Sequence, residues 1–213
     1  MKNANGLSVP IELADLCNRQ ATALLVYDMQ VGIRGQIAGG DHVVDRCATA
    51  LSAARRAGMR VVFTRHMSCP KAWMGVTQYR TAMTWQKTGD PAAVKPWFLR
   101  DAPAAAIVPE LLPNADELVL DKRAMSAFEG TPLAFALKDC GITGVAICGI
   151  ALEIGIEPTT RHATDLGFIP IVLNDACGSG HAEAGKRSLD TMRFIGETMI
   201  TNVDSFAAML ARS

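Results

Sequence analysis

Net charge is the first thing this sequence lacks: 21 Lys and Arg stand against 21 Asp and Glu in 213 residues. A nucleic-acid partner requires a basic face, and no stripe rich in Lys or Arg supplies one locally, so none is expected. Long apolar runs are missing too. Stretches such as residues 23–26 and 145–148 fall far short of the roughly 18 residues that a membrane helix demands, so no membrane partner is expected. Residues 1–12 show no charged-then-apolar leader, from which a cytoplasmic location is expected. The six cysteines (Cys17, Cys47, Cys69, Cys140, Cys148, Cys177) never adopt C-x-x-C spacing and fall mostly within apolar segments. That placement suits reduced core thiols rather than a disulfide frame or a zinc site. Gly178-Ser179-Gly180 does not continue into a P-loop or a dinucleotide fingerprint, so no nucleotide cofactor is expected.

Short apolar runs alternating with helical patterns are what the chain does have. The runs lie at residues 23–27, 60–64, 117–120, 144–148, 169–173 and, less sharply, 198–201. Helical periodicity occupies 42–57, 132–140, 156–166, 182–195 and 205–211, with Gly167 and Gly196 placed just past a last apolar turn. The alternation predicts an α/β fold, doubly wound as three α/β/α layers around a six-stranded, mainly parallel sheet. The length suits one domain over residues 1–213. Aromatic residues are scarce, yet all three tryptophans (Trp73, Trp85, Trp97) and six of the ten prolines crowd into residues 66–113. This insertion offers one short helical stretch near residues 76–85, and its length marks it as a lid, a binding loop or a subunit contact.

Parallel sheets bind substrates beyond the carboxyl ends of their strands, which directs attention to polar residues that end apolar runs. Asp28 ends the first run and suits an acid, a base or a loop cap. Lys122 follows the third, where it reaches the same cleft or simply solvent. The fourth run leads directly into a helix near Gly155 and Ile156, whose free backbone amides offer an oxyanion or carboxylate site. After the fifth run come Asp175 and His181, which serve equally as catalytic groups or as turn and helix-start residues.

Together the Asp28-Met29-Gln30 strand end, the Lys122 to Thr131 segment with Ser126-Ala127-Phe128, the Gly149-Ile150-Ala151 strand exit and Asp175-Ala176 resemble the isochorismatase-like hydrolase superfamily. The resemblance spans about residues 21–204. It implies a doubly wound fold, a cleft at the strand ends holding Asp28 and Lys122, and a non-proline cis peptide between Ile150 and Ala151. It also implies assembly as a homodimer or homotetramer and a small-molecule substrate. Amidase members carry a nucleophilic cysteine in a G-x-x-T-D-x-C-V pattern, whereas this chain reads Gly149-Ile150-Ala151-Leu152-Glu153-Ile154-Gly155-Ile156. Thr, Asp and Cys are all replaced, and the covalent thioester route is closed at this position. Cys148 reads as core, and Cys177 is the better candidate for a substitute thiol.

Isochorismatases of the superfamily likewise lack the cysteine and use an aspartate as proton donor. By that resemblance Asp28 and Lys122 are the catalytic residues, aided by the Ala151 and Gly155 amides. Direct attack by water activated by Asp28 is the second mechanism, and a non-catalytic binding or assembly protein is the rival function. Gln78 and Arg80 resemble the place where isochorismatases present Gln and Arg to substrate carboxylates, which favours an anionic small molecule. Glu153, at the same mouth, stands against isochorismate itself or serves as an acid at a helix start. Nicotinamidases hold a divalent ion with an Asp and two His after the second strand, and Arg65-His66-Met67-Ser68-Cys69 provides no such triad. No metal is therefore expected.

Overall fold

The computed structural model describes residues 1–212. Six parallel strands form the central sheet in the order β5-β4-β3-β6-β7-β8: β3 (Thr22–Tyr27), β4 (Arg60–His66), β5 (Leu118–Lys122), β6 (Gly144–Ile150), β7 (Ile169–Gly178) and β8 (Met199–Thr201). A short antiparallel hairpin, β1 (Lys2–Ala4) and β2 (Leu7–Val9), exposed throughout, and a one-turn helix, α1 (Leu13–Leu16), precede it, and a second short helix, α2 (Val31–Arg34), follows β3. Every residue of β3 and β6 is buried, as expected for central strands covered on both faces.

Strand alternation sorts the core into two halves. Leu24 and Val26 of β3 point toward α3 (Gly40–Arg56) and α8 (Val203–Leu210). Ala23, Leu25 and Tyr27 point the other way, toward α5 (Leu133–Asp139), α6 (Glu157–Asp165) and α7 (Ala182–Ile195). The three-layer doubly wound architecture read from the sequence is therefore the observed one. From β3 the chain winds outward through β4 to β5, then returns to the other side of β3 for β6, β7 and β8. Strand order reverses between β3 and β6, so a crevice opens at their carboxyl ends.

Between β4 and β5 the tryptophan-rich insertion folds over that end as α4 (Val76–Gln86) with four short 3-10 turns. Its returning limb is pinned to the chain just after β3. The Val31 amide donates to the Ala106 carbonyl (2.9 Å) and the Val108 amide to the Met29 carbonyl (3.0 Å). Buried Gln30 ties three segments together: its Nε2 donates to the carbonyls of His66 (3.1 Å) and Ala105 (3.0 Å), and its Oε1 accepts the His66 amide (2.6 Å).

Two expectations change. Strand β7 runs on to Gly178, so residues 174–178 are strand rather than a loop at the crevice. Of the cysteines, Cys17, Cys47 and Cys148 are buried, Cys69 and Cys177 half-buried, and Cys140 exposed.

Candidate active site

The crevice is a cleft of about 800 Å³ floored by Tyr27, Asp28, Ala151 and Gly155. Trp85, Trp97 and Phe98 from the insertion wall it, which gives that segment its covering role. Its size and largely apolar lining with few polar groups fit a small-molecule site.

Asp28 sits at the centre. It is buried, and its φ of 47° places it in the left-handed region, which aspartate tolerates better than most residues. The turn aims the carboxylate across the carboxyl ends of β4 and β5. Oδ1 accepts the Thr64 hydroxyl (2.7 Å), and Oδ2 lies 2.7 Å from the Lys122 Nζ. The Asp28 amide donates back to Thr64 Oγ1 (3.2 Å), closing a reciprocal pair.

Lys122 is the last residue of β5, and its side chain is fully enclosed. Its ammonium also donates to the Ala124 carbonyl (3.1 Å) and rests 4.3 Å from the centre of the Tyr27 ring. A buried charge needs such a set, because an ion pair repays its desolvation only when the remaining donors are satisfied. Half-buried His66, at the end of β4, also lines the cleft. Burial pushes its pKa below the ordinary value; Asp28 opposes that shift and Lys122 adds to it.

Tyr27 is the residue that sequence reasoning missed. It is buried, and its hydroxyl donates to the Met125 carbonyl. A Cβ placed on Gly155 would stand 1.9 Å from Tyr27 Oη and 2.4 Å from Cζ. The phenol therefore fills the space that any side chain at position 155 would need. Burial, reinforced by the charge of Asp28, holds its pKa well above the usual tyrosine value, so it is a donor and not a phenolate. Reading Tyr27 as a strand hydrophobe concealed this, although alternation already directs it toward the layer that contains Gly155. A second close approach explains Gly149, where φ is 132° and a Cβ would meet the Tyr27 carbonyl oxygen at 2.0 Å.

The other expected site residues divide. Ala151 lines the cleft, and the Ile150–Ala151 peptide is cis. Gly155 lines it as well, but its amide donates to the Ala151 carbonyl (3.0 Å), which also accepts the Ile156 amide (3.1 Å). The turn at Leu152–Ile156 is a π-helical one and uses that N–H internally, so it is not an available oxyanion donor. Glu153 is at the mouth, with Oε1 accepting the His181 amide (2.8 Å) at the start of α7. That contact ties it to the start of α7 rather than to the helix of its own segment.

Gln78 and Arg80 do not line this cleft. Two residues apart on α4, they project to different sides of the helix. Gln78 enters an adjoining cavity of about 210 Å³, and Arg80 is exposed beside Thr84 and Lys87. Lys87, the αL residue that ends α4, is the basic side chain at the cleft rim.

Asp175 is also elsewhere. It accepts from Arg46 of α3 (2.7 Å) and from the Val203 amide (2.9 Å), which fastens α8 to the sheet. His181 lines the cleft and caps α7, its Nδ1 accepting the Ala184 amide (3.3 Å). Cys177 faces the core, where burial pushes its thiol pKa well up, and it is not among the cleft residues.

Residues 22–204 match the isochorismatase domain. The chain is 34% identical over 179 residues to the uncharacterised isochorismatase family protein YecD of Escherichia coli O157:H7, covering 81% of this chain and 88% of that protein. It is 30% identical over 216 residues to the ureidoacrylate amidohydrolase RutB of Serratia proteamaculans, covering 90% and 84%. Among solved structures, a cysteine hydrolase from Pseudomonas syringae superposes with a TM-score of 0.77 at 21% identity, over 92% of this chain and 94% of that one.

Proposed function

This chain belongs to the isochorismatase family of hydrolases, and we propose that it hydrolyses an acyl C–N or C–O bond of a small molecule by direct attack of water, with Asp28 as general base. One observation carries this reading: the Asp28 carboxylate accepts from Thr64 and Lys122, while Tyr27 occupies the place of a nucleophile at position 155. With a donor on each oxygen the carboxylate is arranged as an acceptor, which favours the base role over the proton-donor role of isochorismatases. The carboxylate still keeps a lone pair for water.

Asp28 takes a proton from water as the water oxygen adds to the acyl carbon. The tetrahedral adduct then collapses, and the same proton passes from Asp28 to the departing nitrogen or oxygen. General-base assistance of this kind supplies about 10²–10⁴-fold in rate. Lys122 is a positioning residue that fixes the carboxylate and holds its charge. The relative named as an amidohydrolase supports the acyl assignment. Trp85, Trp97 and Phe98 suit a flat, unsaturated substrate body, and a substrate carboxylate would meet Lys87 at the rim rather than Arg80.

The test is to screen small amides, ureido acids and p-nitrophenyl esters, then follow intact protein mass during turnover with and without prior iodoacetamide treatment. Turnover that survives alkylation and leaves no acyl adduct is expected. An adduct on any cysteine, or inactivation that tracks Cys177 labelling, would overturn the mechanism. A ligand that raises the melting temperature yet is never turned over would assign a binding protein instead.

A further inference from the structure

Direct attack on an acyl group places negative charge on the carbonyl oxygen, and something in the cleft has to receive it. The amide of residue 155, at the helix start, is engaged with the Ala151 carbonyl. Tyr27, a cleft-floor residue next in sequence to the base, sets its Oη in the immediate space above that glycine. It donates to the carbonyl of Met125, another cleft-lining residue, and also lies within hydrogen-bonding reach of the Asp28 carboxylate and the Thr159 hydroxyl. Rotation about the Cζ–Oη bond re-aims the proton toward a bound oxygen without moving a heavy atom.

We propose that the Tyr27 hydroxyl is the oxyanion donor of this cleft, hydrogen-bonding the carbonyl oxygen of the scissile bond as that oxygen gains charge. The inference rests on the hydrolytic reading above and adds a catalytic residue to it. One phenol thereby does two things: it excludes a nucleophile at position 155 and replaces the donor that the turn has taken up. The Lys122 ammonium, 4.3 Å from the ring centre, is paired with Asp28 at 2.7 Å, so the hydroxyl acts through its own hydrogen bond rather than through that charge. No proton leaves Tyr27 in the step. It donates a hydrogen bond that strengthens in the transition state and relaxes when the adduct collapses.

The chain has only two tyrosines, Tyr27 and Tyr79, so 3-fluorotyrosine labelling yields two ¹⁹F resonances that Tyr79→Phe assigns. The probes are methyl phenylphosphonate, a tetrahedral monoanion, and benzamide, its flat neutral counterpart. Binding of the phosphonate is expected to shift the Tyr27 resonance and leave that of Tyr79 in place. Tyr27→Phe removes one oxygen and keeps the ring packed over Lys122. It is expected to weaken phosphonate binding by about tenfold or more and benzamide binding by less than about twofold, with kcat falling about 10²-fold or more on any turned-over amide.

An unmoved Tyr27 resonance, undiminished phosphonate affinity in Tyr27→Phe, or no phosphonate binding by the wild type at millimolar concentration would each overturn the proposal. The two readings fail separately. Asp28→Asn that keeps turnover while the phosphonate still shifts Tyr27 defeats the base and leaves the donor. Asp28→Asn that is inactive while Tyr27→Phe retains full activity defeats the donor alone.

Discussion

Replacing Gly155 with alanine adds one methyl group where the structure has none to spare. Its carbon would lie 1.9 Å from Tyr27 Oη, 2.4 Å from Cζ and 2.6 Å from Cε1, whereas real Cβ contacts essentially never fall below 3.0 Å. Tyr27 cannot yield easily, being only 2% exposed and packed between Lys122 and the α6 layer. Overpacking of a rigid core costs about 1–3 kcal/mol, and an overlap with two ring carbons and the hydroxyl oxygen belongs at the upper end. Alanine recovers about 0.5–1 kcal/mol over glycine through reduced chain entropy. The net expectation is a loss of about 2 kcal/mol, or roughly 4–8 °C in Tm for a chain of this size. Thermal melts of Gly155→Ala, Tyr27→Val and the double variant check this. Tyr27→Val alone costs about 3 kcal/mol as a truncation, but in that background Gly155→Ala should be neutral or stabilising. Their coupling should then be about 2 kcal/mol or more. A Gly155→Ala protein as stable as wild type, with strictly additive behaviour in the double variant, would refute the claim that Tyr27 owns this space.

Two further outcomes follow from the charges around the cleft. Lys122→Met leaves the Asp28 carboxylate buried without its counter-ion, so urea denaturation should show a loss of about 3–5 kcal/mol, partly restored by adding Asp28→Asn; an unchanged midpoint would contradict the pair. His66 has its folded pKa lowered by burial, so it binds fewer protons folded than unfolded below its ordinary value of 6.5. Its stabilising contribution is complete above pH 6.5 and is lost as pH falls through the depressed folded value, at no more than roughly 1.4 kcal/mol per pH unit. Stability measured from pH 7.5 to 5 should fall less steeply in His66→Asn than in wild type, and parallel profiles would remove His66 from the account.

Much of the sheet was legible in advance because burial on both faces leaves unbroken apolar runs, and β3 and β6 are the clearest of them. Asp28 and Lys122 could be picked out for a related reason: a charged residue that ends such a run lies at the rim where substrates bind. The details lost were those that depend on direction. Gln78 and Arg80 are neighbours in the sequence, but helical rotation separates their destinations. Asp175 seemed to end a strand, yet β7 continues past it and the side chain turns to Arg46. The Gly155 amide looked free because helix starts normally leave amides unpaired, but a π-type turn engages this one. Tyr27 was hidden by its own hydrophobicity. Only the spacing between β3 and the turn that follows β6 shows that its hydroxyl and a side chain at position 155 compete for one place.

The proposed chemistry depends on Asp28 removing a proton from water inside a folded cleft with no cysteine among its described lining residues. Asp28→Asn keeps the shape and the Thr64 contact but cannot serve as the base. Its kcat on the best acyl substrate, measured beside a thermal melt, should fall about 10²–10⁴-fold while the protein remains cooperatively folded. Turnover at the wild-type rate by a folded Asp28→Asn protein would contradict the account outright.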